Sequence, residues 1–517
     1  MIRASLSARR RARELDALAS GERVDIVVVG GGVTGAGIAL DAASRGLSVA
    51  LVEAHDLAFG TSRWSSKLVH GGLRYLANGD VALARESAAE RHILLTRTAP
   101  HLTRGLAQLF PCYDHTPRAE RLVTAAGLHA GDALRRAAGT PSALLPRPRS
   151  VPAAEALALA PGLRPAGLRG ALLSFDGALT DDARLVVALA RTAAAHGASV
   201  LTRLTATDVA SDRVLARDEL TGERVELRAR QVVNAAGVWA GRLVPSVRLR
   251  PSLGSHLVLD TARTGLGETA VMVPVPGERN RFVFLLPQPH GVTYLGITDE
   301  PLSGDEPPDV PTAPESDVDF LLQVGSSALA TPLTRDHVLG TFAGLRPLLD
   351  SPGRTADLSR KHAVLTDEHT GVVTIVGGKL TTYRRMAQDA VDAAVRAAGL
   401  AARECRTAQL PLFGAASRPE LSVVEAEPRL VGRYGTEAPR VAALGEVDPE
   451  LGRPLFPGCE VTAAEVVWAV RHEGALDADD VLHRRTRLGL VPEHAEAARA
   501  TVTDLVERTL NGLVGTP

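Results

Sequence analysis

Asp25-Ile26-Val27-Val28-Val29-Gly30-Gly31-Gly32-Val33-Thr34-Gly35-Ala36-Gly37 decides how this chain folds. Ile26 to Val29 is a short β-branched run and reads as a parallel strand buried on both faces. Gly30, Gly32 and Gly35 then match G-x-G-x-x-G. The first permits a tight turn, the second admits a pyrophosphate to the backbone, and the third lets helix and strand pack closely. Ala36 to Ser44 reads as an alanine-rich helix whose N-terminus would turn backbone N–H groups toward phosphates. Gly46 suits its C-terminus. Leu47 to Val52 is a second apolar strand ending in Glu53, eighteen residues beyond Gly35. An acid there accepts hydrogen bonds from a ribose and disfavours a 2′-phosphate, so NADP is disfavoured. It does not separate NAD from FAD.

The next residues do. An NAD-binding domain usually continues into further βα units. This chain enters a polar turn instead, Phe59-Gly60-Thr61-Ser62-Arg63-Trp64-Ser65-Ser66-Lys67, with four hydroxyls and two cations. That composition suits wrapping a large phosphate-bearing cofactor; the alternative is a solvated loop.

The run Thr61-Ser62-x-x-Ser65-Ser66-Lys67-Leu68-Val69-His70-Gly71-Gly72-Leu73-Arg74-Tyr75-Leu76 resembles the FAD-dependent, aerobic-type glycerol-3-phosphate dehydrogenases. These form a branch of the D-amino acid oxidase-like flavoproteins. The resemblance extends from about Asp25 to about Leu490. It implies a Rossmann-like FAD-binding domain of glutathione reductase/D-amino acid oxidase type, an antiparallel-sheet substrate domain and an all-α C-terminal domain, a mix of α/β and α+β. The expected division is 1–100 with 172–247 and 341–400 for FAD, 101–171 with 248–340 for cap and substrate, and 401–517 for the helical domain.

At 517 residues, two or three domains are expected. The net charge of −1 offers no basic field to nucleic acid. Cys112, Cys405 and Cys459 stand far apart, which indicates neither a zinc site nor a disulfide framework and fits a reducing cytoplasm. Arginines at 3, 9, 10, 11 and 13 precede no apolar stretch, so neither a Sec nor a twin-arginine signal is read. No apolar run reaches the roughly eighteen residues of a membrane span.

In order, residues 1–23 read as a charged helical arm and Asp80 to Thr98 as a helix capped by Asp80. His101 to Phe110 is apolar. Ala119 to Ala138 is amphipathic and reads either as a surface for lipid head groups or a quinone, or as a cap helix. Pro141 to Pro152 reads as a connection. Leu172 to Phe175 is a strand, and a helix follows with Thr180 or Asp181 as N-cap. The Asp181-Asp182 pair reads as capping, and no metal is expected. Ser199–Leu204 and Val214–Leu227 read as strands. Val232-Val233-Asn234-Ala235-Ala236-Gly237-Val238-Trp239 reads as a strand entering a glycine turn. Residues 248–340 alternate as an antiparallel sheet should. Val372 to Val376, Gly377-Gly378 and Lys379-Leu380-Thr381-Thr382 form a second strand–glycine–helix junction. Its positive helix end would stabilise a reduced flavin's anionic edge. Thr462 to Glu465 is a capping box, and Pro492 opens a final helix.

Two motifs depart from the family. Gly296-Ile297-Thr298-Asp299 carries Ile297 in place of a threonine. Leu253-Gly254-Ser255-His256 carries leucine in place of lysine, so position 253 is given no substrate role. The Asp479-to-Thr486 segment, with Arg484 and Arg485, resembles a family signature whose physical role is not readable.

The resemblance implies hydride transfer from C2 of sn-glycerol 3-phosphate to flavin N5, giving dihydroxyacetone phosphate. His70 is the base candidate, since imidazole titrates near neutrality. Arg74, Arg346 and Arg360 are the phosphate candidates, with Tyr75 beside them, because guanidinium binds phosphate bidentately. Arg346 and Lys379 complete the catalytic set. The cofactor positions are Gly30, Gly32, Gly35, Glu53, Thr61, Ser62, Ser65, Ser66, Lys67, Leu68, His70, Gly71, Gly72, Gly237, Gly378, Lys379, Leu380 and Thr381. The resemblance further implies the quinone pool as acceptor, a homodimer and a cytoplasmic location with peripheral attachment to the inner membrane face. Alternatives are an oxygen-using oxidase, an amine oxidase of the same superfamily and a non-catalytic nucleotide-binding scaffold.

Overall fold

The β-branched run lies at the centre of an eight-stranded sheet. A computed structural model describes residues 3–72, 80–278, 281–302, 306–350 and 361–512. The strand Arg23–Val29 pairs in parallel with Val49–Val52 on one side and Arg224–Asn234 on the other. Ser199–Leu201 extends the sheet beyond Val49–Val52, and Val373–Val376 and Ala363–Thr366 extend it beyond Arg224–Asn234. Ile26, Val27 and Val28 are wholly buried, as a strand covered on both faces requires. Helices Val33–Ser44, Asp182–Ala195 and Tyr383–Ala398 cover one face. They approach closely: a Cβ on Gly37 would lie 2.9 Å from the Tyr383 ring.

The single strand expected over Val214–Leu227 is instead a hairpin. Arg213–Asp218 and Arg224–Asn234 run antiparallel around a turn at Gly222. Asp218 sets the turn, accepting from Leu220 N–H at 3.1 Å. The Pro141–Pro152 connection contains a short strand, Arg149–Val151.

A second, ten-stranded sheet holds the pattern of residues 252–301. Among the described residues its one parallel junction joins Ala270–Pro274 to Thr103–Tyr113. The strands Leu168–Leu179 and Val338–Arg346 belong here, although residues 172–179 and 341–346 fall within the ranges expected for the FAD-binding domain. The physical reason is pairing length. Leu168–Leu179 zips along the whole of Thr103–Tyr113, and Val338–Arg346 along Ser252–Asp260. Leu68–Val69 closes one edge, so the chain passes between the sheets just after Ser66.

Residues after about 400 are helical, with Thr462 and Glu465 forming the expected capping box and Pro492 opening the helix Pro492–Leu510. This region docks through buried ion pairs: Arg184 with Glu473, and Arg191 with Glu437 at 2.6 Å. No described helix is long and apolar enough to cross a membrane.

Candidate active site

The two sheets enclose a cavity of about 680 Å³. Its floor is the glycine turn. Gly30 has φ +113°, and a Cβ there would stand 2.5 Å from the Ala235 carbonyl oxygen. A Cβ on Gly35 would meet the Gly30 carbonyl oxygen at 1.8 Å, which is why helix and strand need glycine at this approach. Gly35 therefore shapes the turn from behind, while Gly30 and Gly32 face the cavity.

Glu53 ends the strand Val49–Val52 and also lines the cavity. Its carboxylate accepts from Gly31 N–H at 2.6 Å and His55 N–H at 2.9 Å. Burial raises its pKa against these bonds. The following loop wraps a second wall with Thr61, Ser62, Ser65 and Ser66. Ser62 Oγ accepts from Val33 N–H at 2.8 Å, and Ala58 N–H donates to the Gly31 carbonyl at 3.0 Å. Loop and glycine turn are thus one fixed cradle. Gly237 and Trp239 stand opposite, and Gly378, Lys379, Leu380 and Thr381 form the third wall. Gly377 and Gly378 both take positive φ there, +78° and +70°.

His70 lines the cavity from the second sheet. The pairing of Leu68–Val69 with Leu168–Leu179 carries it there. The next residue is pinned: Gly71 N–H donates to both oxygens of Asp176, at 3.1 and 3.2 Å. Arg91 Nη1 donates to Asp176 from behind at 2.5 Å.

Arg346 enters at the end of Val338–Arg346. Its guanidinium donates to Ser252 Oγ (3.2 Å), Asp299 Oδ1 (3.3 Å) and the Thr298 carbonyl (3.1 Å). A Cβ on Gly254 would strike it at 2.5 Å. Gln108, Met272, Arg281, Phe282 and Phe284 complete this side.

Lys67 is placed otherwise than expected. Its side chain turns from the cavity into a buried ion pair with Asp182 at 2.9 Å, and it donates to the carbonyls of Arg63 and Ser65. The backbone φ of +56° at Lys67 accompanies this reversal. Asp182 also accepts from Ser65 N–H and Oγ, so the acid read as a cap fixes the loop, while Asp181 caps the helix. Gly71 and Gly72 lie behind the cavity wall, and Leu68 is on it. Arg74, Tyr75 and Arg360 lie outside the described residues.

Three relationships escaped the sequence reading: Ser66 with His256, Asp299 with Arg346, and Asp176 with Gly71. Their signals were present. His256 and Asp299 sit in the two motifs already singled out, but a motif does not say which strands meet.

The cradle fits a flavin dinucleotide. It has glycines where a pyrophosphate needs backbone, a carboxylate where a ribose needs an acceptor, and a hydroxyl-rich loop closing over both. The fold and site define an FAD-linked oxidoreductase, and the family model described as FAD-dependent oxidoreductase matches residues 25–384. A second model, the C-terminal domain of alpha-glycerophosphate oxidase, matches residues 405–512. Glycerol-3-phosphate dehydrogenase 1 of Mycobacterium tuberculosis is 51% identical, over 98% of this chain and 99% of that protein. The X-ray structure of the glycerol-3-phosphate dehydrogenase from Bacillus halodurans, complexed with FAD, is 27% identical with a TM-score of 0.74. That match covers 98% of this chain and 97% of that one. The chain belongs to the FAD-dependent glycerol-3-phosphate dehydrogenase family. The L-alpha-glycerophosphate oxidase of Mycoplasma pneumoniae shares the fold, at 19% identity and a TM-score of 0.56, over 76% of this chain and 99% of that one.

Proposed function

We propose that this protein oxidises sn-glycerol 3-phosphate to dihydroxyacetone phosphate. The observation that carries the reading is the single cavity joining the glycine cradle to Arg346, His70 and Lys379. Bound FAD supplies the two-electron acceptor for the C2 hydride. His70 takes the proton of the C2 hydroxyl, as an imidazole on the cavity wall can near neutral pH. Arg346 holds the phosphate. Its hydrogen bonds to Ser252, Asp299 and Thr298 orient the guanidinium before substrate arrives, so little ordering entropy is lost on binding. Lys379 stabilises the negative charge developing at the reacting oxygen. The cofactor is held by Gly30, Gly32, Glu53, Thr61, Ser62, Ser65, Ser66, Gly237, Gly378, Leu380 and Thr381.

We assign the electrons to a quinone. The cavity has an apolar side where Leu128 of the amphipathic helix Arg118–Ala137 packs with Met272, Phe282 and Phe284. Leu122 and Val123 on that helix are 70% and 62% exposed, which supports an apolar acceptor reached at a membrane face.

The test is anaerobic mixing of FAD-loaded protein with glycerol 3-phosphate, followed by flavin absorbance. Bleaching by glycerol 3-phosphate but not by glycerol is expected. A loaded protein that does not bleach overturns the substrate assignment. Faster reoxidation by a quinone analogue than by air is expected, and the reverse order overturns the acceptor.

A further inference from the structure

The loop from Glu53 to Ser66 has two sides. One lines the cavity through Glu53, Phe59, Thr61 and Ser62. The other carries Asp56, almost wholly buried and facing away from the cavity, against the C-terminal helical region. There a wide helical turn, Val481–Arg485, presents two consecutive arginines. Arg484 Nε donates to Asp56 Oδ2 at 2.6 Å. Arg485 grips the same carboxylate with both terminal nitrogens, at 2.8 Å each. Neither arginine is left to one partner. Arg484 also pairs with Asp480, and Arg485 Nη2 donates to the Glu473 carbonyl at 2.8 Å. Two residues on, Arg487 Nη2 donates to the Arg63 carbonyl at 2.5 Å, at the far end of the loop. Its guanidinium stands 5.6 Å from the Trp64 ring centre.

We infer that Arg484 and Arg485, acting through Asp56, are positioning residues for the cofactor, so that the C-terminal region sets the shape of the FAD cradle. The inference rests on the FAD reading of the cavity. Asp56 lies three residues from Glu53 and two before Ala58, whose N–H is tied to Gly31. Moving Asp56 therefore moves the ribose acceptor and the pyrophosphate turn together. A bidentate arginine–carboxylate contact fixes orientation as well as distance, which a point charge does not. This gives the Asp479–Thr486 signature a task at a site that none of its residues lines.

Asp56→Asn and Arg485→Lys test this, with Arg429→Lys as control. Arg429 forms a similar pair with buried Glu465 inside the helical region, away from the loop. The readouts are FAD dissociation constant on reconstitution, holoprotein melting temperature, and KM for glycerol 3-phosphate at saturating FAD. Asp56→Asn and Arg485→Lys should weaken FAD by about tenfold or more, the equivalent of one charged hydrogen bond. KM should hold, and Arg429→Lys should lower the melting temperature with FAD affinity unchanged. Equal FAD loss in all three, or unchanged FAD affinity in Asp56→Asn, overturns the inference. Asp56→Asn keeps the side-chain shape should the lysine variant fail to fold. Wild-type protein that takes no FAD overturns both inference and proposed function. FAD bound but not bleached sinks only the substrate, since affinity is still read.

Discussion

Ser66 Oγ lies 2.8 Å from His256 Nε2, joining the cavity wall to the interior of the second sheet across 190 residues. The imidazole is fully buried and stacks on Phe342, with ring centres 4.5 Å apart and planes 13° apart. Burial first, then the charges of Lys67 and Arg346, push its pKa well below the ordinary value. The ring is therefore a neutral hydrogen-bond partner that holds Ser66. Its imidazole nitrogen resonances should show no protonation across roughly pH 5 to 8. A titration midpoint near 6.5 would refute this. His256→Gln should retain more activity than His256→Leu, because only glutamine can still bond the serine.

Arg346 should be the most sensitive substrate contact. Arg346→Ala should raise KM for glycerol 3-phosphate by about a hundredfold, the loss of a charged, bidentate phosphate contact of about 3 kcal/mol. Arg346→Lys should recover part of it. Asp299→Asn should raise KM by a smaller factor, because it only loosens the guanidinium. Unchanged KM in Arg346→Ala would remove it from the substrate site.

Two glycines should respond oppositely to alanine. Gly35→Ala puts a methyl 1.8 Å from the Gly30 carbonyl oxygen, between backbone and backbone where nothing can yield. It should abolish FAD retention or folding. Gly127, on the helix Arg118–Ala137, has nothing within 4 Å of an added Cβ. Gly127→Ala should stabilise by up to about 1 kcal/mol through helix propensity. Denaturant midpoints and flavin content distinguish the two.

Acid should unfasten the helical region. Burial alone would raise the carboxyl pKa values of Asp56 and Glu473. Arg485 and Arg484 outweigh it at Asp56, and Arg184 and Arg191 at Glu473, leaving both at about 2. Depressed acids stabilise the fold above their unfolded pKa, near 4, and lose that contribution as pH falls toward 2. Each should contribute about 2–3 kcal/mol, at 1.4 kcal/mol per pKa unit. Urea unfolding at about pH 5 and pH 3 should show the drop, flattened in Asp56→Asn. An identical slope in that variant would show that Asp56 does not carry it.

The nucleotide-binding half was legible because its signals are local. Gly30, Gly32, Gly35 and Glu53 lie within twenty-four residues, and each has one physical task. The third wall at Gly377–Thr381 was legible for the same reason. Lys67 was misread because a motif gives residue type and not direction. A positive φ sends its ammonium to Asp182 rather than to the cavity. The pairing of Val338–Arg346 with Ser252–Asp260 was not legible, because the two strands lie some ninety residues apart. The link between Arg485 and Asp56 spans 429 residues, and no spacing rule reaches that far.

The cradle's walls come from distant parts of the chain, and this fixes an order of events during synthesis. The glycine turn leaves the ribosome early, at residue 30, followed by Glu53 and the wrapping loop. The third wall is not made until residue 378, and Arg484 and Arg485 follow a hundred residues later. For most of its translation the chain therefore exposes half a cradle. Full-strength capture of the flavin would therefore wait for the wall at Gly378 and for the arginines that brace the loop.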